Sequence, residues 1–284
     1  MTVSTDTAAL RPVAASDKDR PASELVVAAF FGPLAHRLAL ALLPLRIPPP
    51  ALVLVAGLAG LAAGLALALT SFMTAALLLQ LKTLLDNADG RLARLSGHVT
   101  LLGRYLDTGS DTALNLVLFA TLGAVTGQPW LALGAFCVLT VVLSADFNLA
   151  HIYREVRVGE PDVVHGSGGL IERVLALVYR AFFAPQDRLI RAFSSRRLER
   201  ALREVEDAGE RRAATLAYHD RLTVLVLANL GLSTQLVVLG ICLVAGVPTL
   251  YLWLVVAMLP LLFVLLLRRE WLLSAGALSR HHAA

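Results

Sequence analysis

Four aspartates fall close together in an otherwise apolar part of the chain: Asp86, Asp89, Asp107 and Asp111. Asp86, Asp89, Gly90, Ala93 and Arg94 stand at relative positions 0, 3, 4, 7 and 8, so a helix places them on one face. Gly103, Asp107 and Asp111 stand at 0, 4 and 8, again one face. A short turn containing Gly97 allows the two helices to run antiparallel with their acidic faces meeting. The carboxylates would then converge on one spot from two sides.

Ionised carboxylates inside a membrane cost roughly 2.5–3.5 kcal/mol each at mid-depth and less near the interface. Four together also repel, and resist ionising without counter-charge. Two divalent cations would cancel four negative charges. An all-oxygen donor set suits Mg²⁺ or Mn²⁺ rather than Zn²⁺, which prefers His or Cys. Small residues beside the carboxylates, Gly90 and Ala93, leave room for a bulky group against the helix backbone. Arg94 is placed to pair with a phosphate or to brace an aspartate.

The elements that position these residues are membrane helices. Of 284 residues 57% are hydrophobic and only 16% charged, with a mean hydropathy of +0.71. That balance suits a polytopic, all-α membrane protein. The formal charge of +4 is almost all arginine. In a membrane protein such a surplus reflects cytoplasmic loops facing anionic lipid rather than nucleic acid. Cys137 and Cys242 sit in apolar runs and imply no disulfide.

Residues 1–22 read as a disordered cytoplasmic tail with neither signal nor transit peptide. Residues 23–46 read as a helix lying in the interface, with a first membrane span as the alternative. Six spans are expected at about 51–69, 72–92, 103–125, 130–152, 222–245 and 250–267. The turns at 70–71, 126–129 and 246–248 carry no charge, whereas Arg91, Arg94, Arg104, the 154–221 stretch and Arg268-Arg269 crowd the other side. By the positive-inside rule both termini and the aspartates face the cytoplasm. A polar insert over 153–219 holds a flexible loop at Gly166–Gly169 and two amphipathic, arginine-rich helices over 170–183 and 187–218. Residues 220–269 hold the last two spans and 270–284 a cytoplasmic tail.

The pattern D-x-x-D-G-x-x-A-R-x8-G-x-x-x-D-x-x-x-D is met at all eight positions and resembles the signature of the CDP-alcohol phosphotransferase (CDP-alcohol phosphatidyltransferase) family. The resemblance covers about Glu24 to Arg269 without the insert. Where members often carry Thr-Pro-Asn before the first span, this chain has Ile47-Pro48-Pro49. The resemblance implies that Asp86, Asp89 and Asp107 bind metal. It implies that Asp111 is the general base and can also touch a second metal, and that Asp89, Gly90, Ala93, Arg94 and Gly103 line the CDP site. It also implies in-line attack of an acceptor hydroxyl on the donor's β-phosphate with release of CMP, two divalent ions, a homodimer and the bacterial inner (plasma) membrane. The expected donor is a CDP-linked lipid, CDP-diacylglycerol first, and the acceptor is small and polar or phosphorylated.

Lys82, four before Asp86, shares its face and can pair with it, reach a phosphate or snorkel. Asn115, four after Asp111, extends the acidic face. Asp146, Asn148, Arg154, Arg157, His219 and Arg221 gather at the cytoplasmic ends of spans four and five. They could ring an anionic acceptor, although topology alone also demands arginines there. Asn229, Ser233 and Gln235 read as interhelical hydrogen bonds, and His281-His282 have no ligand company. A divalent-cation transporter would spread acidic residues along a path to both faces, and a silent scaffold has no use for four aspartates at ligand spacing. Neither matches this distribution.

Overall fold

In a computed structural model the described residues are 23–98, 101–158, 184–203 and 205–281, with side chains omitted for a few of them at segment ends. The first-tail reading, the Gly166–Gly169 loop, the 170–183 helix and His282 lie outside that set. The described residues form only helices and turns.

The first helix among the described residues is α1 (Val27–Leu45), a π turn that runs into α-helix and a final 3₁₀ turn. There follow α2 (Pro49–Ala68), α3 (Phe72–Ser96), α4 (Leu101–Thr126) and α5 (Pro129–Val158). The insert supplies α6 (Ala184–Ala201) and α7 (Ala208–Tyr218). The last part holds α8 (Arg221–Ala228), α9 (Leu232–Val244), α10 (Pro248–Val256) and α11 (Met258–His281).

Five helical stretches are long and apolar enough to cross a membrane: 27–45, 49–68, 129–157, 208–244 and 248–273. This set differs from the six spans read from the sequence. It includes α1, and it omits α3 and α4, which carry the motif's charges. The outer faces of the bundle are apolar, with Leu54, Leu58, Leu65, Phe263 and Leu267 all exposed. A water-soluble surface does not carry so continuous an apolar cover.

The contacts of α1 run across one end of the bundle rather than along it. Glu24, just ahead of α1, bonds Thr234 in the first turn of α9. Ala35 and Ala39 share a cluster with Leu52 at the start of α2 and with Ala88 and Leu92 near the end of α3. The Glu24 carboxylate accepts from the Thr234 backbone N–H at 2.7 Å and from its hydroxyl at 2.8 Å. It therefore caps a helix whose own N-cap residue, Gly231, offers no side chain.

Two helices read as continuous are broken. The fifth span divides at 229–231, where Gly231 turns extended to start α9 and Asn229 Oδ1 accepts from the Leu25 N–H instead of serving another span. Ser233 does make an interhelical bond, to Asn87 at 3.4 Å, whereas Gln235 donates locally to the Leu230 carbonyl. The 187–218 helix divides because Asp207 caps α7 through the Glu210 N–H, while Arg211 bonds the Leu202 and Val205 carbonyls that follow α6. Short polar residues that can cap compete with helix continuation, and here they win.

The main core joins α2, α3, α4, α5, α9 and α10 through residues such as Leu67, Leu79, Leu122, Leu139, Leu239 and Leu252. A second cluster ties α5, α8 and α11, with Ile190 of α6 packed on it. Helix α2 packs extensively on both α3 and α4, and no comparable packing joins α3 to α4 among the described residues. The separation of the two motif helices is thus set by α2.

Candidate active site

Helix α3 ends in a glycine-terminated stop. Gly97 takes φ +71°, its N–H bonds the Arg94 carbonyl, and the His98 N–H bonds the Ala93 carbonyl. A left-handed residue at this point suits glycine, and the paired bonds satisfy the helix's last carbonyls. The chain then turns back and α4 begins at Leu101. Asp86 and Asp89 on α3 are thereby set opposite Asp107 on α4. One carboxylate oxygen from each lies within 4.8 Å of the others.

Of these, Asp89 is the most enclosed, 7% exposed, and its buried Oδ2 has no hydrogen-bond partner. A buried acceptor left without a donor is costly unless something outside the protein satisfies it. Three hard carboxylate oxygens with no His or Cys suit an oxygen-preferring dication. The residues present fit a divalent metal.

The fourth aspartate is held differently. Asp111 Oδ1 accepts from Lys82 Nζ at 2.5 Å, and Asp86 Oδ1 accepts from the same ammonium at 2.8 Å. The Lys82 side chain is 1% exposed. It neither snorkels nor opens to water. Asn115, next on the α4 face, is buried. Gly90 and Ala93 are partly exposed beside the aspartates, and Arg94 is exposed. Gly103 lies in the first turn of α4, among residues whose side chains are outside the described set.

The residues read as an acceptor ring form a corner between α5, α7, α8 and α11. Arg157 donates to the Leu216 and His219 carbonyls. His219 is buried, and its Nδ1 lies 3.1 Å from the Arg269 guanidinium. Arg269, read from the sequence only as a topology marker, is buried. It donates to the Tyr218 carbonyl and stacks 4.1 Å over the Tyr218 ring. Asp220 was also missed: it caps α8 through Thr223 and pairs with Arg268 at 2.7 Å. The sequence signal for Asp220 was its Asp–x–x–Thr cap pattern, whereas Arg269 had only its place in the Arg268-Arg269 pair. Arg154 Nε and one terminal nitrogen of Arg269 are buried without a partner. Arg221 is exposed at the start of α8 and joins none of these bonds.

Residues 46–184 match the family model for CDP-alcohol phosphatidyltransferase. The match is shorter than the Glu24–Arg269 reach of the sequence resemblance, ending where α6 begins. Comparison with curated proteins and with solved structures yields no match. With all eight motif positions on α3 and α4 inside the matched stretch, residues 46–184 are a CDP-alcohol phosphatidyltransferase domain.

Proposed function

We propose that this protein transfers a substituted phosphate group from a CDP-alcohol, CDP-diacylglycerol first among candidates, to an acceptor hydroxyl in phospholipid synthesis. The observation that carries the reading is the convergence of Asp86, Asp89 and Asp107 from two helices, with a buried Asp89 oxygen left unsatisfied. A Mg²⁺ or Mn²⁺ held there would supply charge neutralisation for the donor's pyrophosphate, the main demand of phosphoryl transfer. The acceptor oxygen forms a bond to the donor's β-phosphorus as the bond to CMP breaks. Asp111 takes the hydroxyl proton, its Oδ1 fixed by Lys82. Gly90, Ala93 and Arg94 lie along the α3 face where the cytidine nucleotide would rest.

The membrane frame belongs to the same reading. The stretches at α2, α3, α4, α5, α8–α9 and α10–α11 would be six spans. Helix α1 would lie along the cytoplasmic surface, a placement supported by its contacts with one end of the bundle. For the acceptor, the unpartnered buried donors on Arg154 and Arg269 favour an anionic group such as a sugar or polyol phosphate.

The test is CMP release by purified protein in lipid nanodiscs. It should require Mg²⁺ or Mn²⁺, a CDP-alcohol and an acceptor together, and chelation should abolish it. Asp107→Asn or Asp111→Asn should lower the rate by at least about 100-fold, the scale of losing one transition-state contact, with the fold intact by circular dichroism. Turnover that persists in either variant refutes the assignment.

A further inference from the structure

Counting charge along the sequence puts two dications against four aspartates, but the geometry gives Lys82 a place in that count. Its ammonium bridges Asp86 Oδ1 and Asp111 Oδ1 at 2.8 and 2.5 Å. The oxygens that cluster within 4.8 Å belong to Asp86, Asp89 and Asp107, and Asp111 stands outside that set. We propose that Lys82 occupies the position a second divalent ion would need between Asp86 and Asp111, so that the site takes one dication per chain. The inference rests on reading the aspartates as a metal site, and not on the identity of donor or acceptor.

The argument is one of volume and charge. Ligand oxygens of Mg²⁺ lie ~2.0–2.1 Å from the ion. A metal joining Asp86 to Asp111 through the oxygens that Lys82 holds would have to displace the ammonium, and one joining their other oxygens would stand beside it. The ammonium cannot step aside into water, because its side chain is 1% exposed. Moving it off the carboxylates would strand a buried charge, which proteins avoid. A second dication placed beside it would face a fixed like charge. Asp111 is consequently a positioned carboxylate rather than a ligand, and Lys82 is the residue that positions it. The Asp89 oxygen without a partner lies on the other side of Asp86 in the motif, at the three-carboxylate cluster, where one ion satisfies it.

The measurement is Mn²⁺ binding to the full-length chain in nanodiscs, followed by calorimetric titration and electron paramagnetic resonance without nucleotide. The wild-type chain should bind a single Mn²⁺ and give an uncoupled spectrum. Lys82→Met should admit a second ion, with the exchange-coupled spectrum of metals ~3.5–4 Å apart. Should that variant fail to fold, Asp111→Asn serves instead: it should keep one Mn²⁺ with unchanged affinity, whereas Asp89→Asn should lose it. A coupled pair of Mn²⁺ ions in the wild type, or loss of the bound ion in Asp111→Asn, overturns the proposal. No Mn²⁺ at all sinks the metal reading with it. One bound Mn²⁺ without CMP release leaves this inference standing and removes the transfer reading alone.

Discussion

At the scale of single residues, Gly90 separates a packing requirement from a functional one. Glycine inside a helix is less favourable than alanine by roughly 1 kcal/mol. Nothing in the fold demands it here, since a Cβ at Gly90 would meet only Arg94 nitrogens, the nearer at 3.6 Å, an ordinary contact. The open space beside the backbone is compatible with the proposed nucleotide site. Gly90→Ala should melt at the same or a higher temperature while its KM for the CDP-alcohol rises and kcat/KM falls about tenfold or more. A variant with unchanged kinetics would remove Gly90 from the nucleotide site. The position of Gly90 was legible because period and residue type suffice to place it. The Lys82 bridge was legible only by half. The i,i+4 relation points to Asp86, but the bond to Asp111 depends on how α3 and α4 rotate about their axes, which spacing within one helix does not encode. Arg269 was hidden for a related reason, because an arginine that closes an apolar run looks the same whether it faces headgroups or the Tyr218 ring.

Among the elements, α2 decides how far apart the motif helices stand. Its Gly57, Gly60 and Gly64 form the face that meets α4. A Cβ at Gly60 would come 2.6 Å from a Leu114 methyl, and one at Gly57 would come 2.8 Å from the Ser110 hydroxyl, next to Asp111. Small residues at such spacing let membrane helices approach closely. Gly60→Val should cost roughly 1–3 kcal/mol, the usual penalty of overpacking. It should also lower activity at temperatures where the protein is still folded, because pushing α4 outward moves Asp107 and Asp111 away from α3. Thermal denaturation alongside CMP release checks this, and a stability loss with full activity below the melting point would contradict it. The spacing of these glycines is present in the sequence, but it does not by itself say which helix they meet. The breaks at 229–231 and 202–207 were harder to foresee. Each depends on a partner far along the chain or on a local cap, Glu24 for the first and Asp207 for the second.

For the whole molecule, composition alone points to an all-helical bundle with apolar outer faces. On the proposed six-span reading, α3 and α4 would cross the membrane although they fall short of the apolar-length measure, and α1, which meets it, would not cross. The tryptophans add an independent frame. Trp130 begins α5 and Trp253 lies in α10, both exposed, while the exposed Trp271 lies toward the far end of α11. From Trp253 to Trp271 a helical path covers roughly 27 Å at ~1.5 Å per residue, close to the ~30 Å hydrocarbon thickness. Indole rings favour the two boundaries of that layer. If Trp271 marks the side that holds Arg268, Arg197 and the aspartates, single cysteines placed in a chain lacking Cys137 and Cys242 should divide cleanly. In intact cells Gln128→Cys should react with a membrane-impermeant maleimide, whereas Arg200→Cys should react only after the membrane is opened. Labelling of Arg200→Cys from outside would invert the proposed orientation, placing the arginine-rich side away from the cytoplasm, where the positive-inside rule puts it.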